Sequence, residues 1–268
     1  MKLFERIFTS AILIGGTIYI LFFTNVFIFS LQVMVFIGLA LLEFLNLLKK
    51  QGIHVYRLFG VVMGLTIPFI VYMELGHTQS GEILFIVLGC LFLFLLQFFH
   101  KDSSQALSGI SLTLFGILYV SWFLSFVIKM RFLNQGAIWV GYLVAVTKAA
   151  DIGAYLIGAP FGRHTLIPHI SPKKTVEGTL AGLVSSILIS LALSPYLPLK
   201  LSAAHLVILG LLIGVVGQIG DLSESLMKRF CGAKDSGSLL PGMGGVLDSV
   251  DSILFTAPIF YFHLKLIL

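Results

Sequence analysis

The chain has 268 residues, 58% hydrophobic and 11% charged, with a formal net charge of +5 and a mean hydropathy of +1.04. A soluble domain carries about 25% charged residues, so a water-soluble globule is excluded. Apolar runs near 20 residues recur throughout and point to helical spans rather than the ~10-residue alternating strands of a barrel.

Polar breaks divide the chain into nine predicted spans, near 7–23, 26–47, 57–75, 82–99, 106–129, 137–160, 176–194, 204–228 and 246–267. The expected fold is an all-α polytopic integral membrane protein. MKLFER followed by an apolar run reads as an uncleaved first helix, and Asn25 marks the turn into the second. With the N-terminus cytoplasmic, the inner segments hold Lys2, Arg6, Lys49, Lys50, Arg57, Lys101, Arg163, Lys173, Lys174, Lys228, Arg229 and Lys234. The outer segments hold Lys129, Arg131, Lys200 and Lys265, and Lys148 falls within a span. Twelve against four obeys the positive-inside rule. The basic residues do not gather on a polar domain, so they speak for topology and not for nucleic acid.

Up to residue 150 the acids (Glu5, Glu43, Glu74, Glu82, Asp102) lie at span ends or in loops. Later acids lie inside spans or at their mouths. We therefore divide the chain into an N-terminal transmembrane scaffold, 1–135, and a C-terminal catalytic region, 136–268. The polar loops of that region, 161–175 and 228–246, both face the cytoplasm.

Lys148, Asp151 and Tyr155 share one helix face at i, i+3 and i+7. The loop FGRHTLIPHISPKKTVEG follows, where Ser171–Pro172 sets a turn, Lys173 and Lys174 supply cations and Thr175 is placed to cap a helix. Small-residue pairs Gly178/Gly182 and Gly210/Gly214 fit close helix packing in a bilayer. In the eighth span Gln218, Asp221, Ser225 and Lys228 share a face, and the ninth opens with Asp248 and Asp251 at i and i+3. An ionised Asp near the bilayer centre costs roughly 2.5–3.5 kcal/mol, so such residues point inward and have a partner or a task. Between these spans, 228–252 concentrates three basic residues, three aspartates, five glycines and one proline. Carboxylates beside lysines, with Gly242, Gly244 and Gly245 allowing close backbone approach, are the composition of a site for a hard divalent cation and a polyphosphate. Structural ion pairing of Asp221 and Asp248 with Lys228, Arg229 or Lys234 is the plainer alternative.

Cys90 and Cys231 form no CxxC pattern, and the chain has no GxxxxGK[ST], HExxH or GxSxG. His54, His77, His100, His205 and His263 are scattered and do not read as ligands, and His164 and His169 in the basic loop are not expected to be essential. A transporter would spread charge through many spans and show inverted repeats; here charge gathers in the last four spans.

Residues 225–251, SLMKRFCGAKDSGSLLPGMGGVLDSVD, resemble the signature of the phosphatidate cytidylyltransferase (CDP-diacylglycerol synthase) family in every spacing. DIGAY at 151–155, SPKKTVEG at 171–178 and GDLSES at 220–225 are similar to other family elements. Met243 and Ser249 depart from the His and Arg of the usual pattern, and no role is assigned to either. The resemblance implies conversion of CTP and phosphatidic acid to CDP-diacylglycerol and pyrophosphate with Mg²⁺, in phospholipid biosynthesis. It also implies a homodimer in a bacterial-type inner membrane, with the active site on the cytoplasmic side. On this reading Asp221 and Asp248 are the first metal ligands, with Asp251, Asp235 and Asp151 behind them, and a paired-cation site is open. Lys228, Arg229, Lys234, Asp235, Gly244 and Gly245 meet the nucleotide, and Lys173 and Lys174 meet the lipid phosphate or the nucleotide. Lys228 joins Asp221, Asp248 and Asp251 as catalytic candidates. The lipid tail, which separates this activity from other CTP-using lipid enzymes, is not readable.

Overall fold

The computed structural model describes residues 2–74, 81–99, 104–242 and 244–268, without the side chains of 2–8, 10, 11 and 74. His77, His100, Lys101, Asp102 and Met243 lie outside these residues, as do the side chains of Lys2, Glu5, Arg6 and Glu74. The chain forms two compact units, residues 1–132 with 231–249 and residues 133–230 with 250–268.

The first unit contains α1 (Lys2–Phe23), α2 (Val26–Lys50), α3 (Arg57–Glu74), α4 (Gly81–Phe98), α5 (Ala106–Gly116) and α6 (Phe123–Arg131). A π-helical segment, Ile117–Trp122, joins α5 to α6 in one continuous rod. Asn25 caps α2 by accepting from the Ile28 N–H at 2.9 Å. The core is Leu41, Phe44, Leu45, Ile67, Val120 and Ile128. Lys129 at the end of α6 pairs with Glu82 at the start of α4 at 2.7 Å, and the Trp122 indole donates to the same carboxylate at 3.1 Å. The His54 N–H, between α2 and α3, donates to Gln105 just before α5 at 2.9 Å. These end-to-end pairings are those of helices that alternate in direction.

The second unit contains α7 (Gly136–Phe161), a hairpin of β1 (Thr165–Ile167) and β2 (Ser171–Thr175), α8 (Val176–Ala192), α9 (Ala203–Phe230) and most of α10 (Val246–Ile267). Helix α8 packs along both α7 and α9. A buried centre of Trp139, Tyr142, Leu143, Leu209, Ile213 and Phe260 holds the helices together, with Tyr142 stacked on Phe260 at 5.5 Å between ring centroids. His205 and His263, which the sequence shows as scattered, face each other at 3.0 Å and link the start of α9 to the end of α10.

Among the described residues, six helices are long and apolar enough to cross a membrane: α2, α4, the α5–α6 rod, α7, α9 and α10. The remaining apolar helices, Ile12–Phe23, Arg57–Met73 and Val176–Ala192, are shorter. This is the fold of a multi-pass membrane protein, nearly all helical. The hairpin has no counterpart in the sequence reading, because its strands are three and five residues long, too short for alternation to show. Residues 231–249 pack with the first unit because Glu43 of α2 binds them.

Candidate active site

In the second unit α9 carries Asp221 and, less than one turn later, Glu224; α10 carries Asp251. Close approach of the two helices depends on Gly220, where a Cβ would lie 2.6 Å from the Asp251 carbonyl oxygen. One carboxylate oxygen from each of Asp221, Glu224 and Asp251 lies within 4.8 Å of the others. Asp251 is buried, and its Oδ1 accepts from the Ser252 N–H at 2.6 Å. Glu224 is fully buried and pairs with Lys228, one turn along α9. The hairpin contributes Lys174, whose Nζ is 2.6 Å from Asp221 Oδ2. Its neighbour Lys173 is exposed.

Beside this cluster Lys148 donates to Asp151 at 3.0 Å and to the Ser252 hydroxyl at 3.1 Å. The Ser252 hydroxyl in turn donates to Asp151 at 3.0 Å. The three groups form a closed ring between α7 and α10. The hairpin is pinned at three places. Arg229 Nε donates to the Ile170 carbonyl at 3.1 Å, and Thr175 caps α8 by accepting from the Gly178 N–H at 3.2 Å. Glu177 accepts from the Arg163 and His164 N–H groups at 3.1 and 3.3 Å, and His164 Nδ1 lies 2.6 Å from its other oxygen.

In the first unit Lys234 and Asp235 are exposed on the loop before α10. Gly244 has φ +102° and pairs with Leu240 through two backbone hydrogen bonds of 2.9 and 3.1 Å, which closes the glycine turn. Oδ2 of Asp248 accepts from the Gly245 N–H at 2.7 Å and from the N–H and hydroxyl of Ser236 at 2.9 and 2.8 Å. Burial raises the pKa of the Cys231 thiol in this loop.

The structure thus brings Asp221, Asp251, Lys174 and Lys228 together in the second unit, with Asp151 held by Lys148. Asp248, Lys234, Asp235, Gly244 and Gly245 belong to the first unit. Glu224 completes the acidic cluster, and its signal was the i+3 spacing from Asp221 within GDLSES. In the sequence Glu43 stands only as a span-end acid, and no local pattern links it to residues two hundred positions away.

The donor set consists of hard carboxylate oxygens, which suits a divalent cation such as Mg²⁺ better than a soft metal. Lysines paired to the same carboxylates supply the positive charge a polyphosphate needs.

Comparison with known proteins agrees with this chemistry. The profile of the Cytidylyltransferase family matches residues 4–267. The phosphatidate cytidylyltransferase of Synechocystis is 35% identical over 90% of this chain and 89% of its own length. The chloroplastic phosphatidate cytidylyltransferase 4 of Arabidopsis thaliana is 35% identical over 90% of this chain and 67% of its own. The uncharacterized protein YnbB of Escherichia coli is 40% identical over 59% of this chain, and the match spans 52% of that protein. A profile matching nearly the whole chain and a relative aligned over about nine-tenths of both lengths show that this protein belongs to the cytidylyltransferase family of nucleotidyltransferases.

Proposed function

We propose that the chain is a phosphatidate cytidylyltransferase, which converts CTP and phosphatidate to CDP-diacylglycerol and pyrophosphate in phospholipid biosynthesis. The observation that carries this is the 35% identity with the Synechocystis enzyme along nearly both full lengths. A phosphate oxygen of the lipid forms the new bond to the α-phosphorus of CTP. The bond from that phosphorus to the β-phosphate oxygen breaks, and pyrophosphate leaves with the electron pair. The nucleophile is already an anion, so neither a general base nor a Ser or Cys nucleophile is required. The residues act by positioning and by neutralising charge.

Asp221, Glu224 and Asp251 would hold Mg²⁺, which when bound supplies positive charge to the phosphoryl oxygens. Asp151 is engaged by Lys148 and Ser252, so it stands behind these three. Lys174 and Lys228 approach phosphate from the same carboxylates that now pair with them, and exposed Lys173 meets the lipid phosphate. Motif spacing alone assigns Asp248 to the metal, and Arg229, Lys234, Asp235 and the Gly244–Gly245 backbone to the nucleotide. The chain is proposed to cross the bacterial inner membrane nine times with a cytoplasmic N-terminus and cytoplasmic site, and to work as a homodimer. The twelve-to-four lysine and arginine bias supports the orientation.

Label transfer tests this reading. With [α-³²P]CTP and phosphatidate, the purified protein should move label into the lipid phase. With [γ-³²P]CTP the label should remain in water as pyrophosphate. Lipid labelling from the γ position would identify a lipid kinase instead.

A further inference from the structure

We infer that Glu43, on α2 of the first unit, is a positioning residue for cytidylyl transfer, because its carboxylate builds the start of α10 and sets the hydrogen bonds of Asp248. This rests on the function proposed above.

Glu43 is 5% exposed and lies among the buried Leu41, Phe44 and Leu45. A carboxylate there is costly unless donors surround it. Its Oε1 accepts from the Val246 N–H at 3.0 Å, and its Oε2 accepts from the Leu247 N–H at 2.9 Å and the Ser236 hydroxyl at 3.1 Å. Val246 and Leu247 open α10, where N–H groups have no partner within the helix. A side-chain cap would normally come from the residue before them, but that residue is Gly245. Glu43 supplies the missing cap from another helix, 203 positions away in sequence. Asp248 completes it from within, reaching back to the Gly245 N–H as the third residue of a capping box does.

Three further details tie the two carboxylates together. Gly237 and Gly245 leave room for Glu43, since a Cβ at either would run into its carboxylate. The Ser236 hydroxyl is within hydrogen-bond distance of both Glu43 (3.1 Å) and Asp248 (2.8 Å). It has one proton, so only one carboxylate holds it at a time. A change of charge at position 43 therefore redistributes the bonds at Asp248, and a purely apolar anchor would have no such effect.

Glu43→Gln turns an amide NH₂ toward a backbone N–H, whereas Glu43→Asp keeps the charge and both acceptors. In detergent-purified enzyme, Glu43→Gln should lower kcat per folded molecule by roughly 10- to 100-fold, the range for residues that orient a ligand. KM for phosphatidate should stay within about twofold, and Glu43→Asp should recover part of the loss. Glu43→Gln combined with Asp248→Asn should be no worse than Asp248→Asn alone, because residues acting through one group are not additive. A wild-type kcat in Glu43→Gln, or additive losses, would overturn the inference. If Glu43→Gln does not fold, Ser236→Ala is read instead. It should lose kcat and show the same non-additivity, and a wild-type kcat there overturns the inference equally. If the wild type makes no CDP-lipid, the proposed function fails. The positioning role is then judged by hydrogen exchange, where Glu43→Gln, or Ser236→Ala if that variant does not fold, should speed exchange in 244–248, and unchanged exchange sinks it.

Discussion

Asp251 and Glu224 are carboxylates buried in a membrane-spanning unit, and each has a reason to be there that substitution can expose. With Asp221 they offer three oxygens within 4.8 Å of one another. Asp251→Asn keeps the volume and removes the charge. It should cost roughly 10²–10³ in kcat, the scale for losing one preorganised electrostatic group, and should raise the Mg²⁺ concentration for half-maximal rate. The measurement is a Mg²⁺ titration of initial rates, and a wild-type titration curve would remove Asp251 from the metal site. Ser252 makes a different prediction. Its hydroxyl is fully buried and closes the ring of Lys148 and Asp151. Ser252→Ala should cost about 1 kcal/mol of stability by leaving the half-buried Lys148 and Asp151 each short of a bond, read as a lower melting temperature of the purified protein.

At the scale of elements, α7 and α8 approach as closely as their small residues allow. A Cβ at Gly182 would lie 2.8 Å from the Ala150 carbonyl oxygen, and one at Gly178 2.8 Å from that of Ala154. Gly182→Val should therefore separate these helices and abolish recovery of folded protein. Gly15→Ala on α1, with nothing within 4 Å of the new atom, should leave yield unchanged in the same size-exclusion assay. Small-residue spacing made this packing legible, since such spacing serves close approach in lipid. The six long apolar helices among the described residues were legible for the same kind of reason: runs of apolar residues end at polar breaks such as Asn25 and Lys49–Lys50. The acidic stripe on α9 was legible too, through its helical period. The β1–β2 hairpin was not, because its pairing is made by the backbone and its few side chains carry no alternation. Nor was the cap from Glu43. It is a long-range bond from a lone acid, and sequence periodicity reports only on neighbours within an element. The same bond explains why residues 231–249, expected to belong with the catalytic region, pack with the first unit.

At the scale of the whole molecule, the proposed topology carries its own test. In a background with Cys90 and Cys231 replaced by serine, cysteine introduced at exposed position 234 should react with an impermeant maleimide only in inside-out vesicles. Cysteine at exposed position 200 should react only in right-side-out vesicles, and the reverse pattern would invert the orientation. If Asp221, Glu224 and Asp251 hold a divalent cation for the synthesis of CDP-diacylglycerol from CTP and phosphatidate, loss of one of these charges must stop the reaction. The most direct measurement is product formation by purified wild type and Asp221→Asn across a Mg²⁺ titration. Expected are one pyrophosphate per CDP-diacylglycerol, no product with chelator, and a loss in Asp221→Asn of roughly 10²-fold or more. Absence of CDP-diacylglycerol from the folded wild type, or a wild-type rate in Asp221→Asn, would contradict that assignment.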